Sequence, residues 1–165
     1  GAMGVHYLHP GHAGLTTRDG RIHATDVRLV PSTPELLIYE PQPDGAMRLV
    51  AVEYYTSREA WGDRPAPSLF GVPFDHMFDD PATPDVDEGH GFTPHYDQHV
   101  WLYRDNPAGL FAQWNANVTC PASAASTISP ATRVEVGRMR VSYNRSADSV
   151  SPWSRRSDAC RTDAW

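Results

Sequence analysis

Hydrophobic and polar positions along this chain change over in short runs bounded by glycine and proline. That pattern predicts β-strands joined by turns, not long amphipathic helices. Val5-His6-Tyr7-Leu8 reads as a short strand. Thr17 to Ile22 contains Asp19-Gly20, a pair that tolerates positive φ and suits a tight hairpin. The clearest signal is a strand over Glu35–Glu40, a turn over Pro41–Gly45 and a returning strand over Arg48–Tyr55. Ser57–Trp61 predicts one helical turn, Ser68–Val72 a short strand and residues 75–94 an acidic loop. His95–Tyr103 predicts a further strand, Asn106–Gly109 a turn and Leu110–Trp114 a short helix or strand. Beyond Cys120, Arg133–Tyr143 predicts one more strand. The sum is a mainly β fold, a small antiparallel barrel or sandwich built from hairpins over residues 1–120. An irregular, partly flexible Ser/Ala/Arg-rich extension follows over 121–165.

Charge sharpens that division. The net charge of -6 combines two unlike parts. Residues 1–120 carry 7 Arg against 16 acids, and residues 121–165 carry 7 Arg against 4. Every basic residue is Arg, which we attribute to coding bias. The acidic balance argues against a nucleic-acid partner, which would need a basic face. No apolar run approaches ~18 residues, so no membrane span is expected. The 2 cysteines, Cys120 and Cys160, suit either one bridge or two thiols, and without a CxxC they predict no Cys-based zinc site. Gly1-Ala2-Met3 reads either as a cleavage scar or as native chain. Asn117-Val118-Thr119 and Asn144-Arg145-Ser146 fit the glycosylation pattern, which is short enough to arise by chance.

All 8 His lie between His6 and His99. In the strand from His95, alternation places His95, Asp97, His99, Trp101 and Tyr103 on one face, and Tyr96, Gln98, Val100 and Leu102 on the other. His95 and His99 are ~13 Å apart along a straight strand and do not share an ion by themselves. Glu53 falls on the apolar face of its strand, where a carboxylate is costly unless paired or bound to metal. His6 sits in an equally apolar strand. His6, Glu53 and His99 on neighbouring strands would form a two-His, one-carboxylate set, with His95 in reserve. Such a set suits a divalent metal, Zn or Fe.

The first functional reading is therefore a metal-binding or small-ligand-binding β domain, extending to a metal-dependent enzyme. His6 and His99 would be ligands, Glu53 a ligand or general base, and His99 and Glu53 the catalytic pair. Tyr96, Trp101 and Tyr103 would line the pocket for a small molecule. The alternatives are a non-catalytic exported interaction or structural domain with a buried polar network, and a metal-free acid–base enzyme. The acidic residues of 75–88 could hold Ca²⁺, but they lack EF-hand spacing, and a solvated loop is the simpler reading. His9 and His12 are expected in an exposed loop; His23, His76 and His90 have no evident partner. Nothing resembles a GxSxG, HExxH or phosphate-binding loop.

Several motifs follow one another along the chain: Gly1-Ala2-Met3-Gly4-Val5-His6-Tyr7, Leu37-Ile38-Tyr39-Glu40-Pro41, Arg48-Leu49-Val50-Ala51-Val52-Glu53-Tyr54, His99-Val100-Trp101-Leu102, Asn106-Pro107-Ala108-Gly109-Leu110-Phe111 and Trp114-Asn115 to Cys120. Over residues 1–120 they resemble a family of short, often exported bacterial proteins to which no activity is attached. The resemblance implies that Gly1-Ala2-Met3 is native, favours a periplasmic or extracellular location, and marks His6, Glu53 and His99 as matching positions. Family members carry an upstream segment with a cysteine and end soon after the position of Cys120, so the extension here departs from the pattern.

Overall fold

The computed structural model describes residues 1–84, 87–120 and 154–155. Its elements run β1 (Val5–Leu8), α1 (Pro10–Ala13), β2 (Leu15–Arg18), β3 (Arg21–Ala24), β4 (Leu36–Pro41) and β5 (Met47–Ser57). There follow α2 (Arg58–Trp61), β6 (Ser68–Leu69), β7 (Val72–Pro73), β8 (Asp75–Met77), β9 (His95–Val100) and β10 (Ser154–Arg155). The main sheet is antiparallel in the order β10-β1-β4-β5-β9-β8, with two small hairpins beside it. The fold is mainly β and sandwich-like. The sheet is open, with β10 and β8 at its edges, so it does not close into a barrel.

Turn chemistry explains the hairpins. Asp19 and Gly20 have φ of 51° and 79°, and Phe70 and Gly71 have 56° and 78°. Two successive positive φ values match the twist of tightly paired strands. The stretch Ser68–Val72 thus folds back on itself as β6 and β7 and is not a single strand. The central hairpin forms as expected from its alternation, with one register irregularity between Ile38 and Tyr39.

Burial separates the two faces. On one face, Leu8, Ala24, Leu36, Tyr55 and Phe92 cluster at one end. At the other end Ala2, Ile38, Val50, Ala51, Trp101 and Val118 pack together. The opposite face buries Val52, Tyr54, Phe74, Tyr96 and Val100. Ala2 and Met3 are buried, and Ala2 exchanges backbone hydrogen bonds with Asn115, so the first residues belong to the core. Cys120 packs beside this region and is disulfide-bonded, which decides for this residue between a bridge and a thiol.

Three expectations need correction. The strand from His95 ends at Val100, not Tyr103. The Trp101 N–H donates to the Leu110 carbonyl and the Leu102 N–H turns back to the Val100 carbonyl, so the regular ladder ends there, although the Tyr103 N–H still reaches the Val50 carbonyl of β5. Residues 110–114 are then irregular, neither helix nor strand, and the loop expected over 75–94 begins with an edge strand, β8. The strand expected over Arg133–Tyr143 lies outside the described residues. In the 121–165 extension, Ser154–Arg155 pairs antiparallel with β1. Among the described residues no helix is long and apolar enough to cross a membrane.

Candidate metal centre

Register brings the predicted residues together. Glu53 on β5 is the direct cross-strand partner of His99 on β9. His6 on β1 pairs with Ile38 on β4, and Ile38 pairs with Ala51 on β5. Directly paired residues share a sheet face, so His6, Glu53 and His99 all project from one face. Neighbouring strands lie ~4.8 Å apart, so β1 and β5 are ~10 Å apart and the side chains meet above β4.

His6 Nε2 is 3.2 Å from Glu53 Oε2, and His99 Nε2 is 3.9 Å from the same oxygen. The two Nε2 atoms are 3.4 Å apart, and the rings meet edge to face at 89°. One ligand atom from each residue lies within 4.8 Å of the others, so the trio could hold a metal ion. Zn–N bonds of ~2.0–2.1 Å in a tetrahedron place ligand atoms about 3.3 Å apart. The observed triangle is close to that spacing.

The site is shielded from water. His6, Glu53 and His99 are 6%, 4% and 1% exposed, which makes any charge there sensitive to its partners. Burial pushes the His99 imidazole below its ordinary pKa; Glu53 and Asp97 pull upward without reversing it. A neutral imidazole is the form that ligates a metal. Trp101 lies alongside His99, with centroids 6.1 Å apart and planes 18° from parallel.

His95 shares this face but stands further along β9. Its Nδ1 contacts the Thr93 carbonyl at 2.9 Å, and its Nε2 lies 3.6 Å from Asp97 Oδ2. Asp97 is 2% exposed. Burial pushes its carboxyl up, but His95, then the charges of His99 and His6, more than offset this and leave it below the usual carboxylate range. Asp75 is paired directly across from Asp97; burial, then Asp97, pushes its pKa up.

Two of the expected pocket-lining residues are elsewhere. Tyr96 packs on the opposite face among Val52, Tyr54 and Val100, because it is offset by one residue from Asp97. Tyr103 is 54% exposed, because the strand stops before it. Only Trp101 of the three lies beside the triad.

The remaining histidines serve other contacts. His23 Nδ1 reaches Thr93 Oγ1 and Ser57 Oγ at 3.1 and 3.3 Å. His9 and His12 stack at 3.6 Å, with His12 against the Pro34 carbonyl, so they are half-buried and not a bare loop pair. Arg21 lies 2.5 Å from Asp79 and 3.3 Å from Asp87, so a guanidinium meets these two acids of the loop.

Sequence reasoning missed Glu35. It is buried, accepts the Tyr55 N–H at 3.1 Å, and has a pKa pushed up to about 8, chiefly by burial. As the first residue of the strand expected over Glu35–Glu40 it carries no local sign of burial; only its packing beside Tyr55 of β5 reveals it. Comparison with protein-family models, with curated proteins and with solved structures found no match to this chain.

Proposed function

We propose that the protein binds a divalent transition-metal ion through His6 Nε2, Glu53 Oε2 and His99 Nε2. The observation that carries this reading is the triangle of 3.2, 3.4 and 3.9 Å among three buried ligand atoms from three strands. Two imidazoles and a carboxylate suit Zn²⁺ or Fe²⁺, and three protein ligands leave a position for water or a small ligand. A dication would also offset the charge of a carboxylate held out of water, whose isolated burial is expensive. The resemblance noted above rests partly on these same three positions, and we extend the reading to that family.

Metal analysis of the purified protein, alongside His99→Ala and Glu53→Gln, tests the proposal. One equivalent bound by the wild type and lost in both variants supports it. A folded wild type that binds none, and in which both variants lower only the melting temperature, leaves a buried polar network.

A further inference from the structure

We propose that a bridge between Cys120 and Cys160 clamps the C-terminal segment along β1, the strand that carries His6, so that thiol oxidation sets how firmly that ligand is held. The hold on His6 rests on the metal reading above; the bridge and the clamp stand without it.

Cys120 is disulfide-bonded and the chain has 2 cysteines, so its partner within the chain is Cys160. Strand register supplies the direction. Tyr7 pairs with Arg155 and Leu8 with Ser154, antiparallel, so the chain leaves Arg155 heading toward the Ala2 end of β1. Cys160 is five residues beyond Arg155, and Ala2 is five residues before Tyr7. Either span reaches roughly 17 Å when extended at ~3.3 Å per residue. Ala2 is buried among Ile38, Val50, Ala51, Trp101 and Val118, and Cys120 packs against that same cluster. A segment leaving β10 therefore has both the direction and the reach to meet Cys120.

The Cys120 end of the clamp is firmly anchored. The Thr119 N–H and hydroxyl both donate to Glu40 Oε1, at 2.9 and 3.2 Å, and Glu40 is buried. The other end acts on a sheet edge. β1 is a strand of 4 residues with β4 on one side and β10 on the other. Without β10 it would become the edge strand, held by one ladder of hydrogen bonds in place of two, and would open more readily. β10 pairs with Tyr7 and Leu8, the two residues that follow His6. Freedom in β1 passes directly to the His6 imidazole, whose Nε2 lies 3.2 Å from Glu53 Oε2 and 3.4 Å from His99 Nε2. Opening the bridge takes two electrons and two protons from an external dithiol. Cys120 and Cys160 become thiols, and the dithiol leaves as its own disulfide. An oxidising compartment keeps the bridge closed.

Peptide mapping of the full chain without reductant, read by mass spectrometry, tests the bridge, and amide hydrogen exchange tests the clamp. A Cys120–Cys160 cross-link within one monomer is expected. In Cys160→Ser, and in wild type opened with dithiothreitol, the β1 amides should exchange about tenfold faster or more, with those of β5 and β9 unchanged. The double variant Cys120→Ser/Cys160→Ser leaves no thiol to bind zinc and should bind Zn²⁺ about tenfold more weakly than wild type. Free thiols in the air-oxidised protein, or a bridge between two copies, overturn the proposal. So does a closed bridge whose opening leaves β1 exchange unchanged, or speeds β1, β5 and β9 equally. Equal zinc affinity in wild type and the double variant overturns the hold on His6. A wild type that binds no zinc removes the metal reading instead, and the exchange of β1 still decides the clamp.

Discussion

Glu53 and His99 face each other across β5 and β9 as direct register partners, with Glu53 Oε2 3.9 Å from His99 Nε2. This pair anchors the site on the two longest-buried strands of the sheet, and His6 arrives from beyond β4 to close the triangle. Metal added at about 100 times its dissociation constant should stabilise the fold by about 2.7 kcal/mol. For a chain of this size that is a rise in melting temperature of roughly 5–10 °C. His99→Ala and Glu53→Gln should abolish the metal-dependent rise, read by calorimetric melts with Zn²⁺ and with a chelator. A metal-dependent rise that persists undiminished in both would remove the triad as the binding site.

Glu35 gives the protein a pH dependence of its own. Its pKa is raised from the model-peptide value of 4.5 to about 8, with burial as the first cause. The folded state therefore holds a proton that the unfolded state releases above pH 4.5. The stability this proton provides is complete below pH 4.5 and is lost as pH rises toward 8. At 1.36 kcal/mol per pKa unit the loss is on the order of a few kcal/mol. Glu35→Gln keeps an acceptor for the Tyr55 N–H and removes the titration. The variant should match wild type near pH 4.5 and exceed it at pH 8–9 in urea unfolding. Parallel stability curves for the two proteins would show that Glu35 does not titrate in this window.

Much of this arrangement was legible in the sequence, for identifiable reasons. Glu53 stood out because alternation put a carboxylate on an apolar face, and His6 because it interrupts an apolar strand. The Asp19-Gly20 turn and the β4–β5 hairpin followed from local chemistry. What alternation cannot supply is strand order, so the pairing of β1 with β4, which carries His6 to the site, needed the tertiary structure. Tyr96 was misplaced because pocket membership was read from the residue type and not from its position in the alternation. Tyr103 was misplaced because nothing local signals that the Trp101 N–H leaves the ladder for Leu110. The edge strand β8 was hidden in an acidic stretch read as loop.

Gly4 ties the N-terminal segment to the site. Its φ is +83°, and a Cβ there would lie 2.7 Å from Ile38 Cγ2 and 2.9 Å from the Tyr39 carbonyl oxygen. Both neighbours are in β4, and Ile38 is the register partner of His6. Gly4→Ala should therefore cost roughly 2 kcal/mol or more, through strain and displacement of β1. Gly20 provides the control: its φ is +79°, but nothing lies within 4 Å of an added Cβ. Gly20→Ala should cost only about 1 kcal/mol. Metal affinity should fall in Gly4→Ala and stay at the wild-type value in Gly20→Ala. Equal loss of stability in the two would mean that the contact with β4 is unimportant.

Trp101 offers a direct optical report on the centre. Its ring lies 6.1 Å from that of His99 at 18°, and its Nε1–H donates to the Ala112 carbonyl at 2.6 Å. Being 3% exposed, it should be little affected by dissolved quenchers. An ion with partly filled d orbitals, such as Co²⁺, bound at His99 would sit within van der Waals range of the indole's neighbour and quench it. Trp101 is one of 5 tryptophans, so saturating Co²⁺ should remove a minor, well-defined share of the total emission. Trp101→Phe keeps an aromatic ring against His99 but loses the hydrogen bond to Ala112. It should cost about 1 kcal/mol or more of stability, leave Co²⁺ stoichiometry unchanged, and abolish the saturable quenching. Quenching that persists in Trp101→Phe with the same midpoint would place the bound ion near a different tryptophan and away from His99.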